Sequence, residues 1–145
     1  MSEAATLYHE ALVAKAREAR APQRLEQPAA SVTVDNPLCG DRVTLDLVVD
    51  SGKVGAVGHR VRGCLLCQAA TALIADHAPG ATAAELRGVA AGVQRFMADG
   101  ELDSSAWPEL AMFAPVRAAR SRHRCVTLPF AALTRALDEA DADGR

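Results

Sequence analysis

Three observations predict an α+β fold, a small antiparallel sheet packed against several helices. Residues Val43, Thr44, Leu45, Asp46, Leu47, Val48 and Val49 alternate apolar and polar side chains at the period of a half-buried strand. Asp50-Ser51-Gly52-Lys53 then turns the chain back into Val54 to Val61. After Gly63 the pattern changes to long Ala/Leu-rich segments punctuated by Pro-Gly and Asp-Gly. Half of the residues are hydrophobic but only 3% are aromatic. Such small side chains suit closely packed helices, Ala being the best helix former. The 145 residues read as one domain, 1–145, with an N-terminal helical region at 1–22 and a polar tail at 141–145.

Leu7, Tyr8, Ala11 and Leu12 place an apolar face on a helix over residues 4 to 20. The segment APQRLEQPAA follows, bracketed by Pro22 and Pro28, and reads as a linker. Ser31 to Val34 is a short strand, and the segments on either side of the 50–53 turn extend it to a hairpin or meander. On the return strand Val57 and Val61 share one face, with Val54 and Ala56 on the other; glycines at 52, 55 and 58 weaken it. Cys64 to His77 is helical up to Pro79-Gly80. Thr82 and Glu85 have the spacing of a capping box for a helix that runs to about Met97 and breaks at Asp99-Gly100. Trp107-Pro108 opens a helical stretch towards Arg120, which Pro115 should kink or split. A last helix runs from Cys125 to about Ala140, with Pro129 near its first turn.

A formal charge of -2, from 16 basic and 18 acidic residues, gives no general field for nucleic acid. No stretch is apolar for long enough to span a bilayer. The N-terminal segment is charged throughout, without the basic-then-apolar order of a signal peptide. A cytoplasmic protein with neither nucleic-acid nor membrane partners is expected. Its four cysteines are then thiols, suited to metal or sulfur chemistry more than to a disulfide framework.

Three of them stand where the backbone changes direction. Cys39 lies in the loop Asp35-Asn36-Pro37-Leu38-Cys39-Gly40-Asp41, Cys64 where strand gives way to helix, and Cys125 where the basic run Arg120 to Arg124 meets the last helix. A thiol in a helix's first turn faces unpaired N–H groups and the positive end of the dipole, which favour the thiolate. Cys64 fits that description, and Cys125 is a second candidate. Arg62, Arg122 and Arg124 would add positive charge. Three thiolates and a carboxylate could bind zinc tetrahedrally or hold an iron–sulfur cluster. Cys67, on the same helical face as Cys64, reads either as a small core hydrophobe or as the partner of Cys64 in a redox pair. The four histidines form no ligand pair at helical spacing.

The residues Asn36-Pro37-Leu38-Cys39-Gly40-Asp41-Arg42 resemble the NPxCGD segment of the U-type scaffold family, known as IscU, SufU and the N-terminal part of NifU. Gly63-Cys64 and Arg124-Cys125-Val126-Thr127-Leu128 follow in order at its second and third cysteines, and the resemblance covers roughly residues 6 to 138. Sixty residues separate Cys64 from Cys125, an interval similar to that of the longer SufU-like branch. Arg124 stands where the IscU branch has a histidine, and the chaperone-recognition motif LPPVK of that branch is absent. Cys67 is extra, in a stretch that is Ser-rich in the family. The family's NPRN segment is here Glu18 to Ala21, its Phe-Pro pair is Ala119-Arg120, and its Trp after the third cysteine is Phe130.

The resemblance implies an IscU/SufU-like fold and a metal site at Cys39, Asp41, Cys64 and Cys125. It implies zinc or a [2Fe–2S] cluster as cofactor. It also implies a cysteine desulfurase and recipient apo-proteins or cluster carriers as partners. In a zinc-dependent sulfur relay Cys39 is the implied acceptor of persulfide sulfur; in a scaffold that builds and transfers a cluster, Cys125 is the implied residue. Whether the chain is an enzyme, as a zinc-dependent sulfurtransferase would be, is left open by the residues. Two further readings compete: a structural zinc module, which chelation would unfold, and a thiol redox protein using Cys64 and Cys67.

Overall fold

A computed structural model describes the backbone of residues 3–102 and 107–142. Helix α1 (Glu3–Glu18) precedes the strands β1 (Ala30–Asn36), β2 (Asp41–Asp50) and β3 (Lys53–Arg62). Helices α2 (Leu65–His77) and α3 (Ala83–Asp99), a 3-10 helix (Pro108–Ala118), a single 3-10 turn (Arg120–Arg122) and α4 (His123–Ala142) follow. The predicted α+β class is the observed one. The strands form an antiparallel meander in chain order. Helix α4 lies against β1 and β2, with α2 and α3 beside it, and α1 packs on α2 and the long 3-10 helix.

Alternation sorts the central strand. Val43, Leu45 and Leu47 turn into the core, while Arg42, Thr44 and Asp46 line the other face. Ser51 (φ 56°) and Gly52 (φ 79°) form the left-handed pair of a two-residue hairpin turn. On the return strand the expected facing needs correction. The register slips between Val48 and Val49, so Val49 opposes Val54 while Val48 opposes Ala56. Gly55 is the extra residue of a bulge, which rotates Val54 onto the core face with Val57.

The expected linker is tied down. Gln23 pairs with His59 through two backbone bonds of 2.9 Å at the free edge of β3. The next residues cross the outer sheet face and converge on Asp46, which is fully buried. Its carboxylate accepts bonds from Arg24 Nε (2.7 Å) and Nη2 (3.0 Å), Ser31 Oγ (2.6 Å) and the Leu25 amide (3.1 Å). Burial alone would push this carboxyl up, but the bonds from Arg24, Ser31 and Leu25 outweigh it and hold it below its usual range. A side chain at Gly58 would meet Leu25 N at 2.7 Å and Gln23 O at 2.8 Å, so only glycine lets the strap lie this close.

The helices depart from expectation mainly at prolines. Buried positions on α1 and the turn after it are Leu12, Ala16 and Ala19, while Ala11 is exposed; the Leu7 side chain and residues 143–145 of the polar tail lie outside the described residues. Thr82 Oγ1 accepts the Glu85 amide (3.2 Å) and caps α3 as its spacing predicts. Gly100 (φ 85°) closes that helix, and Arg117 Nε donates to Phe96 O (2.7 Å) in its last turn. The stretch around Pro115 is an unbroken 3-10 helix, and the break falls instead at Ala119. Pro115 has no N–H and crowds the carbonyl four residues back, which disfavours the α pattern there. Helix α4 begins two residues before Cys125, so Pro129 sits past the first turn. It cannot donate to the Cys125 carbonyl, which therefore lacks the usual bond of an interior helical residue.

Candidate metal and sulfur site

The loop joining β1 to β2 is built by Asn36, whose side chain is buried. Its carbonyl accepts the amides of Cys39 (3.2 Å) and Gly40 (2.8 Å), and its Oδ1 accepts the amide of Leu38 (3.3 Å). This folds Pro37 to Gly40 into a tight turn, with Gly40 at φ 74°. Cys39 is left exposed at the tip beside Leu38, which is 94% exposed. The ladder closes with Asn36 opposite Asp41. Asp41 points inward with the core face of β2 and is only 3% exposed.

Cys64 arrives on the neighbouring strand end. It stands at the N-cap of α2, one step before the first turn in which the sequence placed it, and its side chain makes no capping bond. Its amide donates to Asp41 Oδ1 (3.2 Å), and its Sγ lies 3.9 Å from Asp41 Oδ2. Gly63 permits this approach: a Cβ there would lie 2.6 Å from Asp41 Oδ1. Cys125 comes from the first turn of α4 and is 2% exposed. One ligand atom each from Cys39, Asp41 and Cys125 lie within 4.8 Å of one another. Cys64 joins them through its two contacts with Asp41.

At Cys125 the electrostatics differ from the expectation of a favoured thiolate at a helix start. Burial pushes the Cys125 thiol up, and the adjacent Cys64 and Asp41 push it the same way. Asp41 has no Lys or Arg partner among the described residues. A buried carboxylate against three sulfurs is a concentration of negative charge and soft donors, and a divalent cation is the chemical complement of that set. Among the described residues, no ion pair joins Arg62, Arg122 or Arg124 to Asp41. Cys67 is fully buried, with Leu66, Ala69 and Ala70 buried on the same helix, and burial pushes its thiol up as well. It is a core side chain beneath the site. His123 Nε2 donates to Arg117 O (2.9 Å), directing that nitrogen to the 3-10 helix.

Sequence reasoning named Cys39, Asp41 and Cys125, whose ligand atoms the structure gathers, and Cys64, which it places against Asp41. It missed how Asn36 shapes the loop and how Gly63 admits the carboxylate. The Asn-Pro turn signal was available for the first. Nothing local signals the second, because Asp41 is far away along the chain.

Fold and site together define an α+β protein with a cysteine–carboxylate centre at one end of its sheet. The profile of the NifU-like N terminal domain matches residues 7–121, and the chain belongs to that family. The match ends before Cys125, so that residue's place in the centre rests on the structure. Among solved structures, a nitrogen-fixing NifU-like protein (N-terminal) from Brucella abortus is 30% identical. It superposes with a TM-score of 0.85, covering 93% of this chain and 94% of that one. A protein from Fervidobacterium islandicum AW-1, described as an iron–sulfur cluster assembly scaffold for the SUF system, is 26% identical. Its TM-score is 0.77, with 94% and 96% of the two chains covered. The comparison with curated proteins found no match.

Proposed function

We propose that this protein is a sulfur relay of iron–sulfur cluster assembly, with a zinc ion held by Cys39, Asp41, Cys64 and Cys125. The observation that carries this reading is the unequal exposure of the clustered sulfurs. Cys39 is exposed at the loop tip, whereas Cys125 is buried and Cys64 is half-buried. Sulfur delivered by another protein must come to an accessible nucleophile, and Cys39 alone among the four cysteines is exposed. The Cys39 thiolate attacks the outer sulfur of a persulfide on a cysteine desulfurase. A new S–S bond forms on Cys39, the desulfurase S–S bond breaks, and its electron pair leaves on the desulfurase cysteine as thiolate. Electrons balance without an added oxidant. Bound zinc would keep the ligand sulfurs deprotonated against the burial that raises Cys125.

Asp41 is the oxygen donor among three sulfurs. A carboxylate leaves a soft metal more readily than a thiolate does, which opens a position for exchange during transfer. Family membership and the scaffold described for the Fervidobacterium relative support a second reading, a [2Fe–2S] cluster built on the same residues and passed to recipient proteins. Anaerobic purification with metal analysis, followed by persulfide transfer from a cysteine desulfurase, separates the two. Zinc at one per chain, with sulfur uptake abolished by Cys39→Ser, is the expected result. A stable, transferable cluster with no sulfur uptake by the zinc form would replace the relay with the scaffold. Unfolding on chelation with no sulfur acceptance would reduce the site to a structural zinc.

A further inference from the structure

The outer face of the sheet, away from the helices, carries a charge arrangement that the cysteine centre does not use. The strand registers place Asp35, Arg42 and Arg62 in one row across the sheet, and Thr33, Thr44 and Arg60 in the next. Like charges directly opposite one another destabilise a strand pair, yet Arg42 faces Arg62, and Arg60 stands two residues away on the same face. Arg24 is committed to buried Asp46. Arg42 pairs with Asp35 at 2.6 Å, but both side chains are about half exposed, and such pairs hold weakly. Arg60 and Arg62 make no ion pair among the described residues.

The shape is a pit. Arg24, Arg42, Arg60 and Arg62 surround Thr33 and Thr44 in an open depression of about 180 Å³. The two threonine hydroxyls are 2.9 Å apart. One proton is used in that mutual bond, and the other remains free to donate upward. Guanidinium forks with a hydroxyl donor match the oxygens of a compact tetrahedral anion. A depression of that size suits inorganic phosphate or a single phosphate group and is small for a whole nucleotide.

We propose that this pit binds a phosphate-class oxyanion through Arg42, Arg60, Arg62 and the Thr33–Thr44 hydroxyls. The inference stands apart from the sulfur chemistry: the strand register puts these residues on the opposite sheet face from Asp41, and although Arg42 and Arg62 also border a pocket that Asp41 lines, Arg60 does not. Calorimetry and NMR of the arginine Nε–H groups in the full chain, titrated with inorganic phosphate, test it. Saturable one-to-one binding is expected, with shifts at Arg60 and Arg62 that chloride at matched ionic strength does not reproduce. Arg60→Gln should weaken binding about tenfold, and Arg60→Lys, which keeps charge but loses the fork, by a smaller factor. Zinc content should stay at the wild-type level in both, and phosphate affinity should be the same after chelation. Equal response to chloride, unchanged affinity in Arg60→Gln, or binding that disappears with the metal would overturn the proposal. Failure to bind phosphate, with the same resonances responding to an acidic peptide, would overturn it as well and make the face a protein-docking surface.

Discussion

Substitution of Gly63 by alanine probes how the centre is held. The new Cβ would lie 2.6 Å from Asp41 Oδ1, 2.9 Å from its Cγ and 3.2 Å from its Cβ. Ordinary contact begins near 3.5 Å, so the carboxylate must retreat by about 0.9 Å or β3 must shift. Asp41 is only 3% exposed, and the same Oδ1 accepts the Cys64 amide, so a retreat from the new Cβ also stretches that bond. Metal–ligand distances tolerate about 0.2 Å, so the displacement exceeds what coordination by Asp41 allows. Zinc affinity should fall roughly 10- to 100-fold, the range seen when the groups that orient ligands are disturbed. The overpacking should cost about 1–3 kcal/mol of stability. Competition with a chromophoric chelator measures the first quantity and urea unfolding of the zinc-free protein the second. Wild-type zinc affinity in a folded Gly63→Ala protein would refute the placement of Asp41 in the centre.

Other substitutions read the rest of the fold. Asp41→Ala should lower equilibrium zinc affinity as Gly63→Ala does, yet slow the exchange of bound metal and pass on less sulfur, because the labile ligand that opens a position is gone; unchanged exchange and transfer kinetics would remove that role of the carboxylate. Cys67→Ala should lower stability by about 1 kcal/mol and leave metal stoichiometry and sulfur uptake as in the wild type, measured by metal analysis and persulfide assay. Asp46→Asn should lower stability at pH 7 by about 2–3 kcal/mol, below the full cost of a broken buried pair because Arg24 is part exposed. The folded Asp46 carboxyl sits below its unfolded value, so its contribution is present above about pH 4 and lost as pH falls through the folded value. The gap between wild type and Asp46→Asn in urea unfolding should therefore close on acidification. His59 is buried, its Nδ1 has no partner among the described residues, and burial holds its pKa below the usual value. The unfolded chain then takes up the proton first, so stability should fall as pH drops below about 6.5, and His59→Leu should flatten that slope in pH-dependent melts.

Local rules made much of this molecule legible. The alternation of residues 43–49, the turn at 50–53, the Thr82 cap and the Pro and Gly stops act over a few residues, so a chain read in order reveals them. Those features determined the α+β class, the meander and most helix boundaries. Proline was the weak point, since its effect depends on where the helix around it starts. Pro115 coexists with a continuous 3-10 helix, and Pro129 falls past the first turn because α4 begins at His123.

By itself the sequence determined that Cys39, Asp41, Cys64 and Cys125 were the residues to watch, through loop and helix-end placement and an ordered family resemblance. Only the tertiary structure decided their unequal standing. Cys39 is exposed because Asn36 folds its loop outward, and Cys125 is buried because α4 lies across the sheet. Cys67 falls in the core, and Gly63 and Gly58 matter for what approaches them from far along the chain. The physical reason is common to all five. Exposure, close approach and charge pairing are set by neighbours in space, and a linear reading carries those neighbours only when they are also neighbours in sequence.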